Sequence, residues 1–396
     1  RLGIKQASLY SYVSRGVLTR RPGPDGRASL FDPREVQILA RRGRPRRAPG
    51  AAELVIQTSL TEIAEGRLWY RGHDATVLAT SRAFEEVAGL LWTGSLGNAV
   101  PASWRATDDA IAAGTAAQAA LPADTLPLER LQVIVPALAA TDPLRLQLDP
   151  PAVVAAARAL IAGLVDCLPV AGGGCYADVT AGGSSVAARL ASRLCPHPQT
   201  QELTDTIRAA LVLLADHELA ASTLAARVAA SVRADPYAVV ATGLGTVGGT
   251  LAGGASLGAE LMLASAGQPA DAPRVVGELL RRGERIPGFG HFVYQAGDPR
   301  ALKLLSMVTD LAPDSPRLAV ADALLAEARR RALPEPNIDF ALAAMADVAG
   351  LIRGAGEAVF AVARSAGWLA HALEEYARKT PIRPRAIYIG PPRQPS

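Results

Sequence analysis

Apolar residues recur at helical spacing through most of the chain, in Ala- and Leu-rich blocks separated by Pro and Gly. The spacing predicts helices over 81–92, 104–120, 127–140, 150–165, 181–193, 200–214, 218–234, 236–247, 253–266, 272–281, 299–310, 315–330, 338–349 and 354–376. Strands are expected only near the start. Val17–Arg21 and Arg27–Phe31 flank the turn-rich Pro22-Gly23-Pro24-Asp25-Gly26 as a hairpin, and Glu53–Thr58 with Thr61–Ala64 reads as a second short pair. No short repeat of solenoid period is present. The fold class is therefore all-α, a large multi-helix body behind a small mixed module.

That leading module covers residues 1–42. Ile4, Leu9 and Val13 share a face of a short helix over Gln6–Ser14, and Gly16 ends it. A second helix, Pro33–Arg42, opens with Asp32 as N-cap, Pro33 at the first position and Glu35 in a capping box. Residues 43–51 are a linker, too rich in Arg, Pro and Gly to build a core. The chain opens at Arg1 inside an element, so residues are expected upstream of it.

Composition supports helices: 49% of residues are hydrophobic and only 5% aromatic. Charge changes the picture more. The formal +4 conceals a split, since residues 1–50 hold 12 Lys/Arg against 3 Asp/Glu and the remainder holds 29 against 34. A basic head before a mildly acidic body suggests a nucleic-acid contact confined to residues 1–50. Three cysteines, Cys167, Cys175 and Cys195, give neither a disulfide framework nor a zinc spacing. A reducing cytoplasm is expected. The most apolar run, 209–232, is broken by Asp216, His217, Glu218 and Arg227, so it reads as a buried helix and no membrane span is expected.

Three phrases place polar groups among apolar helices. In "LLADHELAAST" (213–223), three ionisable residues interrupt a core run, which is costly unless they are paired or face a pocket. In "IPGFGHFVYQAGDPR" (286–300), a glycine loop exposes main chain beside His291, with Arg300 following, as an anion site would need. In "PEPNIDFALAAMA" (334–346), Asn337 and Asp339 open a helix; by itself Asp339 there is equally well a helix-dipole charge.

In order and spacing these phrases resemble the citrate synthase family. So do "YRGHD" (70–74), "SRAFEEVAGLLWTG" (81–94), "DPYAVVATGLGTVGG" (235–249) and "RPRAIYIG" (383–390), so the resemblance spans nearly everything after the linker. The first 40 residues, through "RLGIKQASLYSYVSRGVL", resemble the winged helix-turn-helix of MerR-like regulators. There Lys5, Gln6, Ser8 and Ser11 would face a DNA groove, while Arg20, Arg21 and Arg27 would meet phosphates.

The first resemblance implies a homodimeric helical enzyme that condenses acetyl-CoA with oxaloacetate, without metal or redox cofactor. It implies a large domain (about 52–250 and 355–396) and a small one (about 251–354) that close over the substrates. Asp339 would be the base, and His291 would polarise the oxaloacetate carbonyl. His217, Arg300 and Arg364 would bind oxaloacetate, and Arg383 would reach the partner subunit's site. Arg285, Pro287, Gly288, Phe289 and Gly290 would line the CoA adenine.

One position departs from the family. The His that stabilises the enol oxygen falls in a phrase that here reads "GTLAGGASLG", and its place is taken by Ala252. A methyl group can donate no hydrogen bond. Either water or another group such as Ser256 or His73 serves instead, or turnover is slow or lost. Two alternatives to citrate formation follow: a 2-methylcitrate synthase using propionyl-CoA, and a regulator that senses a dicarboxylate or acyl-CoA and binds DNA.

Overall fold

The computed structural model describes residues 19–22, 29–31, 55–97, 104–173, 184–249, 254–294, 296–378, 380–386 and 390. It divides into two compact units, 1–57 and 58–396. In the first, β1 (Arg20–Pro22) pairs antiparallel with β2 (Ser29–Phe31), Arg21 opposite Leu30. The pairing falls within the expected hairpin, except that Pro22, expected in the turn, lies in β1 opposite Ser29. Both expected helices of this module, the linker, and Lys5, Gln6, Ser8, Ser11 and Arg27 lie outside the described residues.

The second unit opens with a three-stranded antiparallel sheet, β3 (Thr61–Ala64), β4 (Arg67–Tyr70) and β5 (His73–Asp74). The partner of β3 is therefore β4, not the expected Glu53–Thr58. Glu65 and Gly66 both take positive φ, 53° and 73°, and this tight two-residue turn folds β4 straight back on β3.

The helices are α1 (Ala75–Ser81), α2 (Phe84–Thr93), α3 (Asp108–Ala116), α4 (Pro127–Thr141), α5 (Pro150–Asp166) and α6 (Val186–Leu194). They continue as α7 (Gln201–Leu214), α8 (Ala221–Ser231), α9 (Pro236–Val247), α10 (Gly254–Ser265) and α11 (Ala272–Arg281). The last are α12 (Pro299–Leu311), α13 (Pro316–Arg330), α14 (Ile338–Val348) and α15 (Ala355–Ala377). The mostly helical class is as expected, and only α1 has no counterpart among the predicted helices. Repeated local signals set the starts. Asp149, Asp235, Asp298 and Ser315 each cap a helix whose first turn carries Pro, so an otherwise orphaned N–H is either absent or bonded.

Helix α15 is the axis of the body. Its 23 residues run about 35 Å, and nearly all its side chains are buried, as for a helix surrounded by others. Two close approaches seat it. A Cβ at Gly243 of α9 would lie 2.5 Å from the Trp368 ring, and one at Gly367 would lie 2.6 Å from the Asp216 carboxylate. A second, smaller core joins α10, α11, α13 and α14 through Leu263, Val276, Leu324 and Phe340. No helix among the described residues is long and apolar enough to cross a membrane.

Candidate active site

The junction between α7 and α8 carries the first part of the site. Asp216 is fully buried; its carboxylate accepts from Thr61 Oγ1 at 2.5 Å and from His371 Nε2 at 3.2 Å. Burial opposes its ionisation, but the His371 contact, Arg364 and Thr61 outweigh that and hold its pKa below the usual range. The Tyr70 hydroxyl lies 3.1 Å from the Leu213 carbonyl and 3.0 Å from that of Asp216, donating to this turn. Next to this anchored residue, His217 is buried with Nε2 3.1 Å from the Tyr294 hydroxyl. Glu218, at φ 53°, turns outward and is exposed. Only two of the three ionisable groups are buried, which limits the desolvation cost.

The second part is the loop before α12. Gly290 N donates to Glu335 O and Asn337 N to Gly288 O, both at 2.8 Å, and Asn337 Nδ2 donates to Gly290 O at 2.9 Å. The glycine loop is thus laced to the entry of α14. Gly288 has φ 80°, and a Cβ there would lie 2.7 Å from Phe340 Cβ, so only glycine fits. This lacing fixes His291 relative to Asp339. His291 Nδ1 accepts the N–H groups of Val293 (3.0 Å) and Tyr294 (3.3 Å). A neutral ring must then carry its proton on Nε2. That tautomer makes the 3.4 Å approach of Arg300 Nη2 to Nε2 a contact between two donors, not a hydrogen bond. Burial and Arg300 lower the His291 pKa; burial, Arg300, Arg364 and His291 lower that of His217 further. Both rings are therefore neutral near pH 7, with centroids 5.3 Å apart.

Two guanidinium groups close in on the same place. Arg300 is buried, and Asp298 binds its Nε at 2.9 Å and its Nη2 at 2.8 Å, leaving Nη1 without a partner among the described residues. Arg364 is 2% exposed, rests on the Phe360 ring at 4.7 Å, and donates through Nε to Leu214 O at 2.8 Å. It has no carboxylate partner among the described residues, and burial lowers its pKa. A buried cation left in this way is costly without an anion.

Asp339 sits in the first turn of α14, capped by Asn337, whose Oδ1 accepts the Asp339 N–H at 3.0 Å. Its own carboxylate makes no hydrogen bond among the described residues. Burial and Asp298 push its pKa up to about 6 against the pull of Arg300 and Arg364. It is ionised at neutral pH, yet basic enough to take a proton.

His217, His291 and Arg300 are therefore in mutual contact through Tyr294, and Arg364 and Asp339 lie within electrostatic reach. Arg383 is not gathered in: it is exposed on the C-terminal segment. Of the loop residues, Gly288 is buried, Pro287, Phe289 and Gly290 are half-buried, and Arg285 is exposed. Ala252 lies outside the described residues. Sequence reasoning missed Tyr70, Tyr294, Asp298 and His371. His371 had a signal, since it follows Arg364 by seven residues, on one face of the same helix. Its Nδ1 lies 2.5 Å from Arg227 Nη1, so its Nε2–H points to Asp216. No metal-binding cluster is present among the described residues.

Fold and site together define a helical protein with a buried cationic, histidine-lined centre beside the Asp339 carboxyl. The chain belongs to the citrate synthase family: residues 51–385 match the family model "Citrate synthase, C-terminal domain". It is 30% identical over 370 residues to "Citrate synthase 2" of Bacillus subtilis, covering 85% of this chain and 94% of that one. It is 28% identical over 378 residues to "2-methylcitrate synthase" of Mycobacterium tuberculosis, covering 88% and 91%. The citrate synthase of Thermoplasma acidophilum, solved as a ternary complex with carboxymethyl coenzyme A and oxaloacetate, superposes with TM-score 0.71 at 25% identity, covering 87% of this chain and 96% of that one.

Proposed function

We propose that the protein condenses acetyl-CoA with oxaloacetate to give citrate and CoA. The observation that carries this is the buried guanidinium of Arg364, without a carboxylate partner among the described residues, within electrostatic reach of Arg300 and its unbonded Nη1. Two guanidinium groups answer the two carboxylates of oxaloacetate. The Nε2–H of His291 is then available to the keto oxygen, and His217 completes the pocket. Asp339 takes a proton from the acetyl methyl, and the resulting carbon nucleophile attacks the polarised keto carbon. Hydrolysis of the thioester releases CoA. Arg285, Pro287, Gly288, Phe289 and Gly290 would carry the CoA adenine.

The smaller core around Leu263 and Leu324 supports a small domain of about 251–354 closing on the rest. In a homodimer the partner subunit's Arg383 would complete each pocket. Mixing Arg383→Ala with Arg364→Ala chains is expected to restore activity to pockets built from one intact residue of each kind. The deciding experiment is thiol release from acetyl-CoA and from propionyl-CoA with oxaloacetate. A higher kcat/KM for propionyl-CoA would reassign the protein as a 2-methylcitrate synthase. No turnover with either, restored by Ala252→His, would favour a ligand-sensing regulator.

The β1–β2 hairpin, with Arg20 and Arg21 on β1, favours a second role for the basic head in binding DNA. Binding to random duplex should weaken steeply with salt if these residues meet phosphates.

A further inference from the structure

Condensation needs a hydrogen-bond donor at the acyl oxygen, and position 252 is alanine. Where α10, α14 and α15 meet, two buried polar side chains have no partner. Among the described residues Glu357, 5% exposed, has no hydrogen-bond or ion-pair partner, and Ser256 Oγ, on a residue 2% exposed, is also unbonded. Glu357, Phe360 and Arg364 occupy positions i, i+3 and i+7 of α15, one face of the helix. That face leads from the guanidinium assigned to oxaloacetate, over the Phe360 ring, to the Glu357 carboxyl. Gly356 beside it packs on α14 one turn beyond Asp339, where an added Cβ would lie 3.3 Å from Leu342 Cβ, and it also abuts Ser256 Oγ.

We propose that Glu357, as a neutral carboxylic acid, is a further catalytic residue that donates to the acyl oxygen while Asp339 takes the α-proton. The proposal rests on the condensing function above. The methyl C–H bond breaks, its proton goes to Asp339, and its electron pair forms the C=C bond. The carbonyl π pair moves to oxygen, which takes the Glu357 hydrogen. When the new C–C bond forms, the hydrogen returns to Glu357.

The surroundings hold this acid protonated below about pH 7. Burial raises the Glu357 pKa to about 7, helped by the negative charges of Glu260 on α10, Asp339 on α14 and Glu129 on α4. Glu260 is itself tied to the N–H groups of Gly354 (2.8 Å) and Gly356 (3.1 Å), with Arg353 acting on it and not on Glu357. Asp339 and Glu357 are thus two carboxyls whose environments suit one as base and the other as acid.

The test is the pH dependence of carboxymethyl-CoA affinity in the presence of oxaloacetate, since its carboxylate stands in for the enolate oxygen. In the wild type, affinity should fall as pH rises through about 7. Glu357→Gln, a permanent neutral donor, should bind well with that pH dependence removed. Glu357→Ala should bind weakly at every pH and lose about 10²–10³ in kcat. A merely structural role would not move the pH profile. Unchanged kcat and an unchanged pH profile in Glu357→Ala would overturn the proposal while leaving the condensing function in place. Wild-type protein that binds no carboxymethyl-CoA at any pH would overturn the condensing function itself, and this proposal with it.

Discussion

Replacing Arg364 by methionine separates the stability of the empty protein from its affinity for oxaloacetate. The guanidinium is buried at 2% exposure with one carbonyl partner, Leu214 O, and no carboxylate. Exchanging a buried charge for an apolar chain of similar volume is worth about 1–4 kcal/mol in favour of folding. Against this stands the Leu214 carbonyl, left unbonded at a cost of about 1–3 kcal/mol. The apo variant should therefore lie between ~2 kcal/mol less and ~3 kcal/mol more stable than the wild type, centred slightly in the variant's favour. Ligand binding moves the other way. Losing one member of a buried charge pair costs about 2–5 kcal/mol, or roughly 30-fold to several thousand-fold in Kd. Urea denaturation with and without oxaloacetate reads both quantities. A concentration 100 times the wild-type Kd should stabilise the wild type by about 2.7 kcal/mol and the variant hardly at all. A variant that loses more than ~2 kcal/mol of stability when empty, yet keeps its oxaloacetate-dependent shift, would show that Arg364 is a structural residue and refute the anion site.

Asp339→Asn should lower kcat by about 10²–10⁴ with little change in oxaloacetate affinity, measured by turnover and by titration. Because the folded pKa of Asp339, about 6, lies above its ordinary 3.8, the folded state binds the extra proton between those values. Stability from this group therefore falls as pH rises from about 4 to 6, and Asp339→Asn should be the more stable protein at pH 7 by ~1–3 kcal/mol in denaturant melts. His217 and His291 act with the opposite sign: their folded pKa values are depressed below 6.5, so stability falls as pH drops below 6.5. The His217→Gln, His291→Gln double variant should flatten that acid limb, and an unchanged limb would argue against two neutral rings. Gly288→Ala forces a Cβ onto Phe340 at positive φ and should cost about 1–3 kcal/mol, with a larger fractional loss of kcat than of stability as His291 shifts away from Asp339.

What the sequence determined by itself is mostly local. Asp-Pro and Ser-Pro pairs mark helix starts because capping and a fixed φ act within a few residues, and α9, opened by Asp235-Pro236, falls on its expected limits. The phrases around His217, His291 and Asp339 were legible because polar groups in apolar runs must have partners or a ligand. Strand pairing was not: two residues in the left-handed region, Glu65 and Gly66, chose β4 over the preceding segment. Only the tertiary structure decided which lone buried polar residues matter. His371 gains meaning from Asp216, 155 positions away, and Glu357 from lacking a partner among the described residues where α10 and α14 close over it. The reason is physical: the cost of burying a polar group depends on what the fold brings beside it, and neighbours so distant along the chain leave no trace in the residue's own local pattern.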